Sequence, residues 1–225
     1  MKQVKQNGSA RPEKSDVSPA VVNRLPRYFR YLRELIRQGR SRISSGELSE
    51  MMNVTASQIR QDLNCFGGFG QQGYGYNVNY LYAKICEILG VGEGYTAIVV
   101  GIGNLGRALV HNPMFEKRGV DVVGLFDIDP AKVGAEVGGL LVRDMKDLEA
   151  FLKETHVDIA VLTLPKDAAA AAADRLAAAG VPGIWNFTGY ELDRQLTDTV
   201  IESVHLGDSL MRLCFGLREK GKEGT

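Results

Sequence analysis

The 225-residue sequence predicts an α/β fold: an N-terminal winged helix-turn-helix domain, then a Rossmann-like parallel-sheet domain, then a C-terminal helix. Three observations carry this expectation. Two short capped helices, SSGELSEMM and TASQIRQDLN, are separated only by Asn53 and Val54. A glycine-spaced strand-turn-helix, VVGIGNLGRAL, runs from Val99 to Leu109. From Thr96 onward, β-branched runs alternate with helical stretches.

Residues 1–17 are polar and aperiodic and read as a disordered arm. Ser18 followed by Pro19 marks a helix start. Leu25, Tyr28, Phe29, Leu32, Leu35 and Ile36 then share one helical stripe, with Arg30, Arg33, Arg37 and Arg40 on the opposite side. Pro26 predicts a break near the start, and Gly39 ends the helix. Ser44-x-x-Glu47 is a capping box opening a helix through Met52, and Thr55-x-x-Gln58 is a second, opening a helix through Phe66. Leu48, Met51, Val54, Ile59 and Leu63 are its inward residues.

Burying Ile59, Leu63 and Phe66 turns Ser57, Arg60, Gln61 and Asn64 outward. These side chains can hydrogen-bond base edges in a major groove. In GGFGQQGYGYNV the glycines exclude a helix, and the stretch reads as a β-hairpin wing with Gln71-Gln72-Gly73 at its tip and Tyr74 behind it. Asn77 caps a helix through Leu89, and residues 90–94 form a linker. Arg24, Arg27, Arg30, Arg33, Arg37, Arg40 and Arg42 have Glu34 as the only acid among them. Such a run serves either as a solvated face or as a patch that neutralises phosphates; beside a helix-turn-helix it favours duplex DNA as the partner, with Arg24 and Arg42 on the phosphates.

In the second part, TAIVVG, DVVGLFD, VDIAVLTL and GIWNF are the expected parallel strands. Gly101, Gly103 and Gly106 match G-x-G-x-x-G between the first strand and a helix, so that Gly101, Ile102, Gly103, Asn104, Leu105 and Gly106 form the turn expected to cradle a pyrophosphate. Asp127 ends the next strand, where a carboxylate accepts hydrogen bonds from the adenosine ribose. It would repel a 2′-phosphate, and Ile128 beside it is not an arginine, so NADH and NAD+ are favoured over NADP(H), with Lys132 a nearby counterweight.

Composition narrows the remaining classes. Net charge is zero, with 27 basic and 27 acidic residues, so any attraction to nucleic acid must come from a local patch. Cys65, Cys86 and Cys214 are far apart and form neither a disulfide framework nor a metal site. No run is long enough to span a bilayer and no secretory core opens the chain, so a cytoplasmic protein is expected. An NAD-dependent enzyme and a nucleotide-binding scaffold are the rival readings. Tyr80-x-x-x-Lys84 spells a dehydrogenase pair, but it precedes the nucleotide-binding strand. His111, His156 and His205 form no recognisable acid-base set, and too little chain follows the sheet for a substrate domain. No catalytic residue is assigned, and a dinucleotide site without a substrate site points to sensing. Leu206, Leu210, Leu213 and Leu217 give the tail helix one apolar stripe, suited to a partner subunit.

RLPRYFRYL, IRQDLNCFGGFG, GQQGYGYNV, GIGNLGRAL, GLFDIDPAKVG and NFTGY occur in this order, and over residues 18–217 the chain resembles the bacterial redox-sensing transcriptional repressor family Rex. The resemblance implies a homodimer with winged helices on palindromic operator DNA, Rossmann domains holding NADH or NAD+, and swapped C-terminal helices. It implies release from the operator by NADH, with NAD+ permitting binding. By position it places the nicotinamide end near Thr163, Leu164, Pro165, Asn186 and Phe187. The expected domains are thus 1–17 arm, 18–90 winged helix, 95–204 Rossmann domain and 205–219 dimerisation helix. The chain departs from many members at Gln61, Gln71 and Gln72, where basic residues are common, at His205 in place of an aspartate, and at Asn112 in place of a tyrosine.

Overall fold

The computed structural model describes residues 18–65, 70–71, 75–192 and 198–223. The contacts divide into two units that meet between Val91 and Gly92.

In the first unit, α1 (Pro19–Val22) and α2 (Leu25–Arg37) are separated by Asn23 and Arg24, the break that Pro26 predicts. Leu25, Tyr28, Phe29, Leu32 and Leu35 of α2 are buried. A two-residue strand β1 (Arg42–Ile43) then leads into α3 (Ser45–Met52) and α4 (Ala56–Asn64). The Ser44 capping box is complete, with Ser44 accepting from the Glu47 amide and Glu47 accepting from the Ser44 amide. Thr55 accepts from the Gln58 amide, but the Gln58 side chain turns to Asp62 instead of back to the cap, so the second box is half formed. Asn53, with a φ of 50°, makes the left-handed turn between the helices. Met52 is fully buried while Met51 only packs against the core, one position from the expected inward residue.

Strands β2 (Gly70–Gln71) and β3 (Gly75–Asn77) pair antiparallel as the expected wing, and α5 (Val78–Leu89) follows under an Asn77 cap. Strand β1 was not legible, yet it pairs with β3 and makes a three-stranded sheet, β1-β3-β2. That pairing explains Gly75: at a φ of +69° its absent Cβ would lie 2.6 Å from the Ile43 carbonyl oxygen. Tyr82 of α5 stacks on Phe29 of α2 at 5.2 Å and closes the core.

The second unit runs β4 (Tyr95–Val100), α6 (Asn104–Val110), β5 (Val120–Asp127), β6 (Glu136–Val137), β7 (Leu140–Asp144), α7 (Leu148–Glu154), β8 (Ile159–Leu162), α8 (Ala169–Ala178), β9 (Gly183–Asn186), β10 (Val200–Ser203) and α9 (Leu206–Glu223). Strand order is β10-β9-β8-β4-β5-β7-β6, parallel except for the β6–β7 hairpin. The chain winds outward from β4 through β5 to β7, then crosses to β8 and winds the other way. The switch point therefore lies between β4 and β8, and ligands bind open α/β sheets at such a point, outside the strand ends. Val99, Leu125 and Val161 face one core while Ile98, Val100 and Phe126 face the other, as period-2 strands covered on both faces require. Strands β6, β7 and β10 were not expected.

Helix α9 extends beyond residue 219, and its expected single stripe is corrected. Met211 and Phe215, 65% and 67% exposed, stand about 100–180° around the helix from Leu206, Leu210, Leu213 and Leu217, which are exposed as well. Among the described residues no helix is long and apolar enough to cross a membrane.

Candidate functional site

Helix α4 is held by Ile59 and Leu63, both buried, and this turns Ser57, Arg60, Gln61 and Asn64 to the exposed side as expected. Nine residues make a rod about 14 Å long, a size that a major groove accepts. Arg60 Nη1 donates to Ser45 Oγ at 3.2 Å, which poises its guanidinium at the start of α3. Gln71 lies in β2, where the backbone alone is described, and Phe66, Gln72 and Tyr74 lie outside the described residues, as do residues 1–17.

The arginine patch is smaller than the sequence implies. Arg27 donates to the Met52 carbonyl at the end of α3, Arg40 pairs with Glu47 at 2.6 Å, and Arg37 lies 3.8 Å from Glu34. Arg24, expected on a phosphate, turns to Asp62. Its Nε and Nη2 donate to Asp62 Oδ2 and Oδ1, each at 2.7 Å. Tyr28 Oη donates to Oδ2 at 2.9 Å and Gln58 Nε2 to Oδ1 at 2.8 Å, all around a fully buried carboxylate. Burial alone would raise the Asp62 pKa, but the bonds from Arg24, Gln58 and Tyr28 outweigh it and hold the group below its ordinary value. Burial and the bond to Asp62 push the Tyr28 phenol up. Arg42 stays at the surface at the edge of the wing sheet.

In the second unit, a cavity of about 690 Å³ opens at the carboxyl ends of β4, β5 and β8. Gly101, Gly103, Asp127, Thr163, Leu164 and Pro165 line it, all of them expected there. The three glycines of the turn differ in what they do. Gly101 has a φ of +96°, and a Cβ there would lie 2.6 Å from the Thr163 carbonyl oxygen. On Gly106 a Cβ would lie 2.1 Å from the Gly101 carbonyl oxygen, so this glycine serves the packing of α6 on β4. Gly103, at the start of α6, would meet nothing within 4 Å. That open space is the cradle a ligand diphosphate would fill.

Asp127 is 5% exposed and Ile102 is buried. The Ile102 amide donates to Asp127 Oδ2 at 2.7 Å and the Asp129 amide to Oδ1 at 2.9 Å. Lys132 Nζ lies 3.1 Å from Asp127 Oδ2 and 3.7 Å from Asp129 Oδ2. Burial opposes ionisation of Asp127, but the two amides and Lys132 more than offset it and keep the carboxyl below its ordinary range. The Ile102 amide thus fixes Asp127 while its side chain packs in the core.

Ile128 and Lys132, which bear on the choice of dinucleotide, also line the cavity, and so do Asp129, Met145, Ala168 and Arg175, which sequence reasoning does not mark. Ile128, 71% exposed beside Asp127, was detectable as an apolar residue where the strand has already ended. The alanines of α8 carry no chemical signal.

Asn186 and Phe187 do not line this cavity. Asn186 is buried, its amide nitrogen donating to the Tyr190 carbonyl and Ser203 Oγ and its oxygen accepting from the Thr188 amide and hydroxyl. It ties β9 to β10 through bonds made within the protein. Phe187 packs on Trp185 at 4.7 Å, on the core face that also holds Phe115. Asn104 is exposed and Leu105 half-buried in the first turn of α6. Of the departures, Asn112 Oδ1 accepts from the Met114 amide at 3.0 Å, and His205 Nε2 lies 3.5 Å from Glu191 at the root of α9. Tyr80 and Lys84 lie on α5 of the other unit, with Lys84 bonded to Glu87 at 2.6 Å.

Comparison with known proteins covers both units. A family model described as "Putative DNA-binding protein N-terminus" matches residues 16–64, and one described as "CoA binding domain" matches residues 93–190. Redox-sensing transcriptional repressor Rex of Caldanaerobacter subterraneus subsp. tengcongensis is 50% identical over 208 residues, 92% of each chain. Rex of Clostridioides difficile is 45% identical over 91% of this chain and 97% of its own. Among solved structures, RSP in complex with β-NAD+ and operator DNA is 49% identical with a TM-score of 0.86, covering 94% of this chain and 97% of that one. RSP in complex with β-NADH is 45% identical with the same TM-score, covering 94% and 98%.

Proposed function

The chain belongs to the Rex family of redox-sensing transcriptional repressors, and from that membership we propose that it binds palindromic operator DNA through α4 and its wing and is released when NADH enters the crevice of its second unit. The observation that carries this is the coexistence in one chain of an outward polar face on α4 and an open dinucleotide cradle at Gly103.

On the DNA side, Ser57, Arg60, Gln61 and Asn64 read base edges, while Arg42 and the wing residues Gln71, Gln72 and Tyr74 lie against the sugar-phosphate backbone. Glutamines in place of basic residues reduce the number of phosphates neutralised, so affinity falls less steeply with salt than in a more basic relative.

On the nucleotide side, the Gly101–Gly106 turn leaves room for the diphosphate, and Asp127 receives the adenosine ribose. Lys132 is shared by two carboxylates, which makes it a poor partner for a 2′-phosphate and favours NAD(H). Thr163, Leu164 and Pro165 form the facing wall.

Helix α9 brings two subunits together. Its 18 residues span about 27 Å, and its apolar side chains stand on opposite sides, the pattern of a helix inserted between two surfaces. A two-fold dimer presents two α4 helices to successive major grooves, which matches a palindrome. The dimer has two arrangements, and the one favoured with NADH no longer fits that spacing. The function is regulatory and not enzymatic: the named relatives are repressors, and the Tyr80–Lys84 pair is placed in the other unit. Its site of action is the cytoplasm, where the operator is.

Linkage makes this testable, because operator must weaken NADH binding by the factor with which NADH weakens operator binding. A 100-fold coupling requires about 2.7 kcal/mol of differential binding. Fluorescence anisotropy of a labelled palindromic duplex, at fixed salt, should show tight binding that NADH reverses and NAD+ does not. Binding indifferent to NADH would detach the crevice from the regulation.

A further inference from the structure

The first unit places a buried charge directly behind the face that would read DNA. On α4, Asp62 sits about 140° from Ser57 and well away from Arg60, Gln61 and Asn64, on the flank of the Ile59–Leu63 core face. Its carboxylate has room for about four hydrogen bonds, and all four are made: two from Arg24, one from Tyr28 and one from Gln58. Arg24 stands at the break between α1 and α2, and Tyr28 one turn further along α2. A chain that needed only to glue α4 to its core could have used an apolar residue here, since a buried ion pair is weak evidence for stability and its best-attested use is to specify one arrangement.

Apolar contacts at Ile59 and Leu63 choose the outward face of α4 but are non-directional, so they fix its roll less sharply than directed bonds do. A roll of about 25° moves side-chain tips, about 5–6 Å from the helix axis, by about 2 Å, which is enough to lose hydrogen bonds to base edges. A bidentate guanidinium fork prevents such a roll, because both of its bonds must keep their alignment.

We propose that Asp62 is the positioning residue of the DNA-reading helix: gripped by Arg24, Tyr28 and Gln58, it fixes the roll of α4 about its axis and thereby sets sequence specificity without touching DNA. This rests on the reading of α4 as the operator-binding helix.

The test compares operator with a scrambled duplex for the full-length wild type, Asp62→Asn and Arg24→Lys, with circular dichroism and thermal unfolding as controls on folding. Asp62→Asn removes a negative charge from beneath a DNA-binding face, so electrostatics alone would tighten binding to both duplexes. Positioning demands the opposite on the operator. Affinity should fall at least tenfold while scrambled-duplex affinity holds or rises, collapsing the ratio between them.

Arg24→Lys retains the charge and loses the fork, and it should lower the same ratio; if Arg24 met a phosphate, lysine would preserve it. General loosening of the fold would depress both affinities together and leave the ratio alone. Ratios within twofold of wild type for both folded variants overturn the inference. If wild type itself prefers no duplex, the operator-binding reading fails first and this inference with it.

Discussion

Asp62 and Asp127 are buried carboxylates at the two functional elements, and they are satisfied in different ways. Asp62 is surrounded by side chains: Arg24 from the break before α2, Tyr28 from α2 and Gln58 from α4. Asp127 is held chiefly by the backbone amides of Ile102 and Asp129, with Lys132 at the cavity rim. The first arrangement consumes every acceptor position and leaves the carboxylate closed to any ligand. The second fixes the carboxylate from behind and leaves it lining an open cavity. A buried acid is therefore a ligand group or a structural clamp according to where its partners come from, and not according to its burial.

The largest expected effect breaks the first arrangement. Asp62→Ala leaves the Arg24 guanidinium without its partner and should cost about 3–5 kcal/mol in the first unit. The sole tryptophan, Trp185, is in the second unit, so in urea the ellipticity should lose stability while Trp185 fluorescence keeps its midpoint. Asp127→Ala tests the other carboxylate. NADH affinity, measured by titration calorimetry, should fall by about 1.5–3 kcal/mol, the worth of hydrogen bonds to a charged group. Operator affinity without NADH should stay at the wild-type value.

A pair of glycine variants sharpens the same contrast between closed and open surroundings. Gly106→Ala forces a Cβ onto the Gly101 carbonyl and should destabilise the second unit by about 1–3 kcal/mol through backbone strain. Gly103→Ala meets empty space, so its stability should change by no more than about 0.5 kcal/mol while NADH binding weakens. The smallest effect is in acid. The folded pKa of Asp62 is depressed below an unfolded value of about 3.9, so its contribution is complete above that pH and is lost as pH falls through the folded value. The stability gap between wild type and Asp62→Asn should therefore narrow on going from neutral pH toward about pH 3.

Legibility followed the range of the interaction. The Ser44 capping box, the Asn77 cap, the Pro26 break and the glycine turn each depend on residues a few positions apart, and each was readable. Of the cavity, Gly101, Gly103, Asp127, Thr163, Leu164 and Pro165 are legible in the sequence, while the α8 wall is not, because alanines carry no functional signature. Strand β1 is two residues long and has no periodicity to detect; only β3, more than thirty positions later, makes it a strand.

By itself, the sequence determined the local devices: where helices begin and break, which turn is glycine-spaced, which runs form the wing and the central strands β4, β5, β8 and β9, and hence the order of the two units. Only the tertiary structure decided how the polar groups are allotted. Arg24 and Asp62 are 38 residues apart, and nothing in the arginine run marks Arg24 as the one that turns inward. The same holds for Asn186, whose amide meets Tyr190 and Ser203 once β9 and β10 lie side by side. Helix signals are written in neighbouring residues because backbone hydrogen bonds span three or four positions. A buried charge can choose its partner only after the chain has brought distant groups together and excluded the water that would otherwise solvate them.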